Sequence, residues 1–564
     1  MVLLTEHILF FIQICLLCLI ISISGFLLKK IIFKIEDRTE FEENGLLGFI
    51  LIGFLALIIN FFFPLNILVN NILLFLLLLL ALLNNFFKQN ISKLITKILF
   101  VSIISYFFLI YSNVNRPDAF LYHLPYSKIL NEHKVIVGLT NLHSRFGHVS
   151  IFQFISSFFV NNIFFTKGLL IPISLVPSFF FIYCIKKIGS NFSQKKTRLN
   201  SYIIFLILII SIYSFNRYSG WGNDAQLHIF YFLTIIYFLE ASVNKKNLNL
   251  FYKLSLTSIF TFLIKPFYLL SLILPLFFLY KKKNKFNIFI SKPSFFIIIF
   301  LFSWTIKNFL VSSCFIFPIN ITCIKNTTWY NENVNIISSS GEAWSKDWIN
   351  REDKSLNHSE FNKDFKWIKT WTDNHFKKVL ERIFPVLVFI FLNILFFYFA
   401  KCLKKNSNEK KNDNFLIILL LLNFFGMLLW FLKFPIFRYG LSYIYSFLIF
   451  VFYFIYIKFI DFNKILILKK FFIVIIIISF FGLFLKNTFR IYNTDNSSIY
   501  PKIFEGNYET ETIKYFNKNG EFIYFKSENN LCGYTSPSPC YHRKTDLLKD
   551  RMFGYIIYKV NKDK

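Results

Sequence analysis

NVNRPDAFLYHLPYSKILNEHKVIVGLTNLHSRFGHVS, residues 113–150, gathers four of the nine histidines (His123, His133, His143 and His148), with Arg116, Arg145, Asp118 and Glu132. Both flanks are oily. A stretch this polar between apolar runs of bilayer-spanning length reads as a loop at a membrane surface, and the side on which it lies sets the course of the whole chain. Working back from it, residues 94–111, 65–87, 45–62 and 2–28 are apolar, and Lys88, Lys93 and Lys97 mark the opposite side as cytoplasmic. The motif loop is then external. Residues 2–28 lack a basic start and a small-residue cleavage site, so they read as a retained first helix rather than a signal peptide.

Working forward, basic clusters recur at 186–198, 245–246, 281–285, 401–411 and 458–470. Between them lie apolar runs near 201–216, 226–241, 251–264, 266–280, 294–311, 384–400, 414–432, 441–457 and 471–486. Placing every basic cluster inside satisfies the retention of positive charge on the cytoplasmic side. Residues 151–165 and 168–185 both resemble passes, yet parity between the external loop and the cluster at 186–198 admits one or three. The first is therefore expected to be re-entrant or a very short helix buried among its neighbours.

The chain of 564 residues is 55% hydrophobic, with a mean hydropathy of +0.53 and a formal net charge of +31. That charge is scattered in short clusters between apolar runs, which argues for membrane orientation and against a nucleic-acid partner. The fold class is an all-α polytopic membrane protein with about fourteen crossings. Residues 1–92 form additional N-terminal helices, 93–486 a core that includes the external loops 113–150 and 312–382, and 487–564 a small external C-terminal appendage. The segment 312–382 carries Trp329, Trp344, Trp348, Trp367 and Trp371.

Cysteine usage follows the same division. Cys15, Cys18, Cys184 and Cys402 fall in helices or near the inner side and read as small buried hydrophobes. Cys314 and Cys323 flank FIFPINIT, and Cys532 and Cys540 flank GYTSPSP, both in external pieces. Two local disulfides are expected there; zinc is the competing reading, with His542 the sole neighbouring ligand type.

Lysine is so abundant that single lysines carry little information, whereas there are eleven arginines, nine of them on the expected outer side. Retention of positive charge does not explain that bias; a planar fork for an anionic ligand does. Asp118 is the candidate general base for an acceptor hydroxyl, with His123 or Glu132 sharing the role and Tyr122 one helical turn away on the same face. His123, five residues on, points elsewhere in an ideal helix, and Pro125 is expected to break or kink it. The competing roles are a helix cap for Asp118 and interfacial anchoring for the histidines, His143 included. Arg145 can clamp a phosphate. A mixed metal site from Asp118, His123, His143 and His148 would take a divalent cation, but the spacing matches no recognised metal motif. In SFNRYSGWGNDAQLH, which also holds Arg217 and His228, Asp224 either positions a donor or caps the next helix. Lys265 either snorkels or holds a phosphate, and Arg438 in FPIFRYG enters a helix from outside as a phosphate contact.

These residues, in this order, resemble the GT-C superfamily of polytopic glycosyltransferases. The likeness is closer to an uncharacterised bacterial family of GT-C-like proteins, through DAFLYHLPYSKILNE, GLTNLHSRFG, WTIKNFLVSSCFIFPI, TCIKNTTWY, FRYG and LCGYTSPSPC. The resemblance implies a GT-C-like core with its active site at the periplasmic or external face of the inner (cell) membrane. It implies a polyprenyl-phosphate-linked sugar as donor and a glycan, lipid or protein of the cell envelope as acceptor. It places Asp118 as the loop acid, base or metal contact, and Arg438 near the lipid phosphate. The chain departs from the superfamily in having roughly four helices before that acid. The rival functions are a surface-polysaccharide polymerase or ligase, and a lipid-linked glycan transporter. A transporter would be expected to show repeat symmetry and central charges, and neither stands out.

Overall fold

The computed structural model describes residues 2–35, 40–88, 90–112, 118–193, 197–218, 220–244, 246–280, 285–400, 414–456, 460–461, 465–494, 499–501, 512–517, 520–527, 531–543 and 545–560. Arg38, Arg116, Pro117, Cys402 and the basic cluster at 401–411 lie outside the described residues.

Helix α1 (Val2–Leu27) runs into a π-helical turn (Leu28–Ile32) and is followed by α2 (Phe41–Phe62), α3 (Ile67–Leu83) and α4 (Ile91–Leu109). The short helices α5 (Leu124–Glu132), α6 (Leu139–Leu142) and α7 (Ile151–Phe158) build the motif region. Next come α8 (Ile171–Phe192), α9 (Arg198–Ser214), α10 (Asp224–Val243), α11 (Leu248–Ile264), α12 (Ile273–Tyr280), α13 (Lys285–Phe289) and α14 (Lys292–Ser312). The Trp-rich segment holds α15 (Val334–Ser345), α16 (His358–Asn362) and α17 (Ile368–Trp371). Helices α18 (Lys377–Phe399), α19 (Asn414–Lys433), α20 (Phe437–Ile455) and α21 (Ile465–Tyr492) complete the body. Among the described residues ten helical stretches are long and apolar enough to cross a membrane, and four shorter apolar ones accompany them. The body is that of a multi-pass helical membrane protein, because only helices satisfy their own backbone groups where water is absent.

Local sequence sets the helix starts. Asn66 accepts from the Val69 N–H and Asn90 from the Lys93 N–H, each one residue ahead of an apolar run. Ser291 caps α14, with Pro293 in its first turn. Helices α8 and α10 are enclosed almost all round, whereas α18 and α21 present apolar side chains such as Phe384, Phe391, Ile477 and Phe481 outward.

Helix α7 settles the ambiguous stretch at 151–165. Its eight residues are all buried and begin in a capping box between Ser150 and Gln153. At 1.5 Å per residue it reaches about 12 Å, well short of a bilayer core of roughly 30 Å.

At the helix ends remote from the motif region, the first turn of α2 places Glu42 and Glu43 in a buried ion cluster. Glu43 accepts from Lys253 Nζ at 2.8 Å through both oxygens and from Tyr237 Oη at 2.9 Å, and Lys29 Nζ lies 3.1 Å from it. Glu42 pairs with Lys186, and Glu240 with Lys187.

The C-terminal appendage is β-structure, which the all-α reading of the whole chain did not include. Strands β1 (Thr512–Phe516), β2 (Phe522–Ser527) and β3 (Cys540–Tyr541) form one sheet in that order, antiparallel and then parallel. Strands β4 (Leu547–Met552) and β5 (Tyr555–Val560) form an antiparallel hairpin. TIKYF, FIYFKS and YIIYKV are rich in β-branched and aromatic residues and too short to span a bilayer. Both expected disulfides, Cys314–Cys323 and Cys532–Cys540, are formed, while Cys18 and Cys184 are buried thiols and Cys15 is half-buried.

Candidate functional site: a charged cleft at the motif end

Asp118 stands at the start of a π-helical turn, Ala119–His123, closed by the Leu124 N–H on the Ala119 carbonyl. A π turn spends an extra residue, and this changes which side chains share a face. Arg145 reaches the Asp118 carboxylate at 3.4 Å and lies 5.1 Å from the centre of the Tyr122 ring. The Gln153 amide donates to His123 Nδ1 at 2.9 Å, which leaves the proton of the neutral ring on Nε2. Burial pushes the His123 imidazole down to about 4, against the opposing pull of Asp118 and Asp224. Pro125 does not break the helix as expected. It falls in the first turn of α5, where its missing N–H costs nothing.

The other side of the cleft comes from distant parts of the chain. Asp224 is the first residue of α10, and Lys265 Nζ approaches it to 2.7 Å. Lys265 sits at the break between α11 and the following 3-10 stretch, extended as a residue before proline must be, and its ammonium lies 3.5 Å over the Tyr439 ring. Arg438, in the first turn of α20, stands between the two acids: Nη2 is 3.7 Å from Asp118 and Nε 3.7 Å from Asp224. The sequence Arg145, Asp118, Arg438, Asp224, Lys265 thus forms a chain of alternating charge, with three cations and two carboxylates.

The cleft is partly open, with side-chain exposures running from 23% at Asp224 to 48% at Arg145. Both carboxylate contacts of Arg438 exceed hydrogen-bond length, and its buried Nε has no hydrogen-bond partner. A buried guanidinium nitrogen left in that state has capacity for a ligand. The start of α20 is held from behind. His228 Nε2 donates to the Arg438 carbonyl at 2.8 Å, His228 Nδ1 meets Ser442 Oγ at 2.9 Å, and Tyr268 Oη meets Ser442 Oγ at 2.7 Å.

The motif loop is clamped on two flanks. Gly147 lies against Phe317, between the first cysteine pair; a Cβ there would come within 2.4 Å of the ring. His148 meets Phe317 edge-on at 5.4 Å. Gly138, with φ of 68°, lets the chain pass close to the Tyr558 carbonyl of β5. The appendage is docked rather than pendent. The Cys532 N–H donates to the Phe120 carbonyl at 3.2 Å, inside the π turn, and Tyr534 Oη donates to Asn131 at 3.0 Å.

Of the residues singled out in the sequence, Asp118, Tyr122, His123, Arg145, Asp224, Lys265 and Arg438 come together. Glu132 does not. It pairs with Lys128 at 2.9 Å at the far end of α5. His143 also lies elsewhere, 4.8 Å from the Tyr541 ring and 5.7 Å from His542, under the appendage; burial pushes it down to about 3. The mixed metal site of Asp118, His123, His143 and His148 is therefore not assembled, and among the described residues no three His, Cys, Asp or Glu are grouped to hold a metal. Sequence reasoning missed Tyr439, Tyr268, Ser442 and Gln153. Gln153 had a signal in the capping-box spacing from Ser150.

No curated protein and no solved structure matches the chain. A family model described as a domain of unknown function (DUF8201) matches residues 8–445, which include every residue of the cleft and leave α21 and the β-sheets beyond it. The chain belongs to the DUF8201 family.

Proposed function

We propose that this protein is a glycosyltransferase of the cell membrane with a GT-C-like core of about fourteen crossings, the ten long and four shorter apolar helices. It moves a sugar from a polyprenyl-phosphate-linked donor to a glycan, lipid or protein acceptor at the external face. The observation that carries this reading is the unsaturated Arg438 guanidinium between Asp118 and Asp224. Three cations against two carboxylates leave one positive charge, which complements the single negative charge of a phosphodiester-linked sugar. The external placement is supported by Lys29, Lys186, Lys187 and Lys253 at the opposite helix ends.

The two acids differ in their freedom to act. Asp224 is engaged at 2.7 Å by Lys265, whereas the contacts of Asp118 are 3.4 and 3.7 Å, so Asp118 is the one free to receive a proton. In the reaction, the acceptor oxygen forms a bond to the anomeric carbon while the bond from that carbon to the phosphate oxygen breaks. Asp118 takes the hydroxyl proton. Arg438, Arg145 and Lys265 hold the departing polyprenyl phosphate. Neutral His123 offers Nε2–H to orient the acceptor.

The test is sugar transfer from radiolabelled polyprenyl-phosphate sugars in membranes carrying the intact protein, Asp118→Asn or Arg438→Ala at matched expression. Asp118→Asn is expected to lose transfer by about 100-fold or more while still binding donor, and Arg438→Ala to lose donor binding. Full activity in Asp118→Asn would remove this residue from the chemistry, and absence of transfer by the intact protein from any such donor would overturn the assignment.

A further inference from the structure

A second amphiphilic feature lies apart from the cleft, between α9, α18 and α21. A cavity of about 410 Å³ is lined by Ile209, Ile210 and Ile212 of α9, Val386 and Phe389 of α18, and Leu483 of α21. That volume is in the range of small-ligand sites, and its walls are apolar. Gly482 lies in its lining, and a Cβ added there would meet nothing within 4 Å. The missing side chain is part of what keeps the groove open. Helices α18 and α21 turn Phe384, Leu387, Ile478 and Leu485 outward beside it, so the groove faces the hydrocarbon of the bilayer.

Its polar end is strongly basic. Asn216 and Lys486 border the cavity, and the Asn487 amide donates to the Asn216 carbonyl at 2.8 Å, tying α21 to the end of α9. The positive fields of Arg217 and Arg382 act on Lys486, and that of Arg217 on Arg490, one turn further along α21. Arg490 Nη2 donates to the Phe107 carbonyl at 2.9 Å, while its Nε and Nη1 are buried with no hydrogen-bond partner. Among the described residues no carboxylate pairs with Arg217, Arg382, Lys486 or Arg490. This differs from the cleft, where two acids balance most of the charge. Four cations with no carboxylate partner among the described residues, three of them exposed, beside guanidinium nitrogens of Arg490 that have no acceptor, make this end of the groove a favourable place for an anion.

We infer that this groove binds an anionic glycerophospholipid of the surrounding bilayer, one acyl chain lying between α9, α18 and α21 and the headgroup phosphate among Arg217, Arg382, Lys486 and Arg490. An apolar slot facing hydrocarbon and a basic mouth at its end match the two halves of one molecule, and neither a free phosphate nor a neutral lipid satisfies both. The assignment rests on the membrane topology and is independent of the glycosyltransferase reading. Lipid in this position would brace α18 and α21, whose inward contacts with the bundle are sparse.

The experiment uses the purified full-length protein, delipidated in a neutral detergent. Phosphatidylglycerol or phosphatidylcholine of matched chains, or polyprenyl phosphate, is added back, and retained lipid is read by native mass spectrometry. The intact protein is expected to retain phosphatidylglycerol selectively. The double substitution Arg217→Gln with Lys486→Gln should weaken that retention roughly 30-fold, from the contribution of each cation near an anionic lipid surface. Gly482→Leu should abolish it by filling the groove, with helical content and monodispersity unchanged. Equal retention of phosphatidylglycerol and phosphatidylcholine, or retention unaltered by Gly482→Leu, would overturn the inference. So would selective retention of polyprenyl phosphate, which would reassign the groove to an isoprenoid chain.

Discussion

The ion cluster around Glu43 yields the most direct quantitative test of the structure. Replacing Glu43 by glutamine keeps the side-chain shape and the acceptor for Tyr237, but removes the charge that faces Lys253 at 2.8 Å and Lys29 at 3.1 Å. Lys29 is fully buried and Lys253 is 10% exposed, so neither ammonium regains water. Lys29 keeps Glu40 at 3.4 Å as a second partner, while Lys253 loses its bond to Oε2 and keeps only a neutral acceptor at Oε1. Stranding a buried charge in this way costs about 3–5 kcal/mol. The control is Glu352→Gln, which breaks a pair of only 2.7 Å to Lys369 whose two side chains are 71% and 65% exposed. Water and salt screen that pair, and no measurable change is expected. The assay is chemical unfolding in mixed micelles followed by near-UV circular dichroism. Adding Lys253→Met to Glu43→Gln should recover part of the loss by removing the stranded cation. If Glu43→Gln costs no more than Glu352→Gln, or if the second substitution deepens the loss, the cluster is not acting through its charges and the reasoning fails.

Three further outcomes test the clamping of the motif loop. His143 is buried and held down to about 3, so the unfolded chain takes up its proton first. The stability that its neutral burial protects is fully present above the ordinary histidine value of about 6.5 and is lost as pH falls from there toward 3. His143→Phe should flatten that acid limb when unfolding midpoints are compared between pH 7 and pH 4. Gly147→Ala should cost about 1–3 kcal/mol by driving a methyl group into the Phe317 ring. The loss should be relieved in the pair with Phe317→Leu, read by thermal unfolding. Replacing Cys532 and Cys540 by serine opens a loop of eight-residue separation and should cost the appendage about 2–3 kcal/mol. Limited proteolysis should then release the C-terminal strands first and leave the helical body intact.

The residues of the cleft were visible in the sequence because they are chemically out of place. Asp118, Arg145, Asp224 and Arg438 stand out in a chain of apolar runs and lysines, and Lys265 stands out by the proline after it. Their partition was not visible. Glu132 and His143 share the same loop and the same kind of chemistry, yet one lies at the far end of α5 and the other beneath Tyr541. A helical period of 3.6 also does not describe Ala119–His123, because nothing in AFLYH announces a π turn. The β-structure of the appendage was legible in principle, since its alternating aromatic and β-branched stretches are local. Its docking on Phe120 and Asn131 was not, because that contact joins residues some 400 positions apart.

The sequence by itself determined that this is a membrane protein of many helices, where those helices start, and which polar residues lie at their ends. Hydrophobic run length and capping act over a few residues and do not depend on the rest of the chain. The tertiary structure alone decided that Asp118, Asp224, Lys265 and Arg438 face one another across more than three hundred residues of chain. It also set four other cations at one end of an apolar groove, where among the described residues no acid pairs with them. Which helix ends meet is settled by how buried faces pack, as where Gly426 receives the Tyr443 ring, and that complementarity is a property of surfaces that exist only once the helices have assembled.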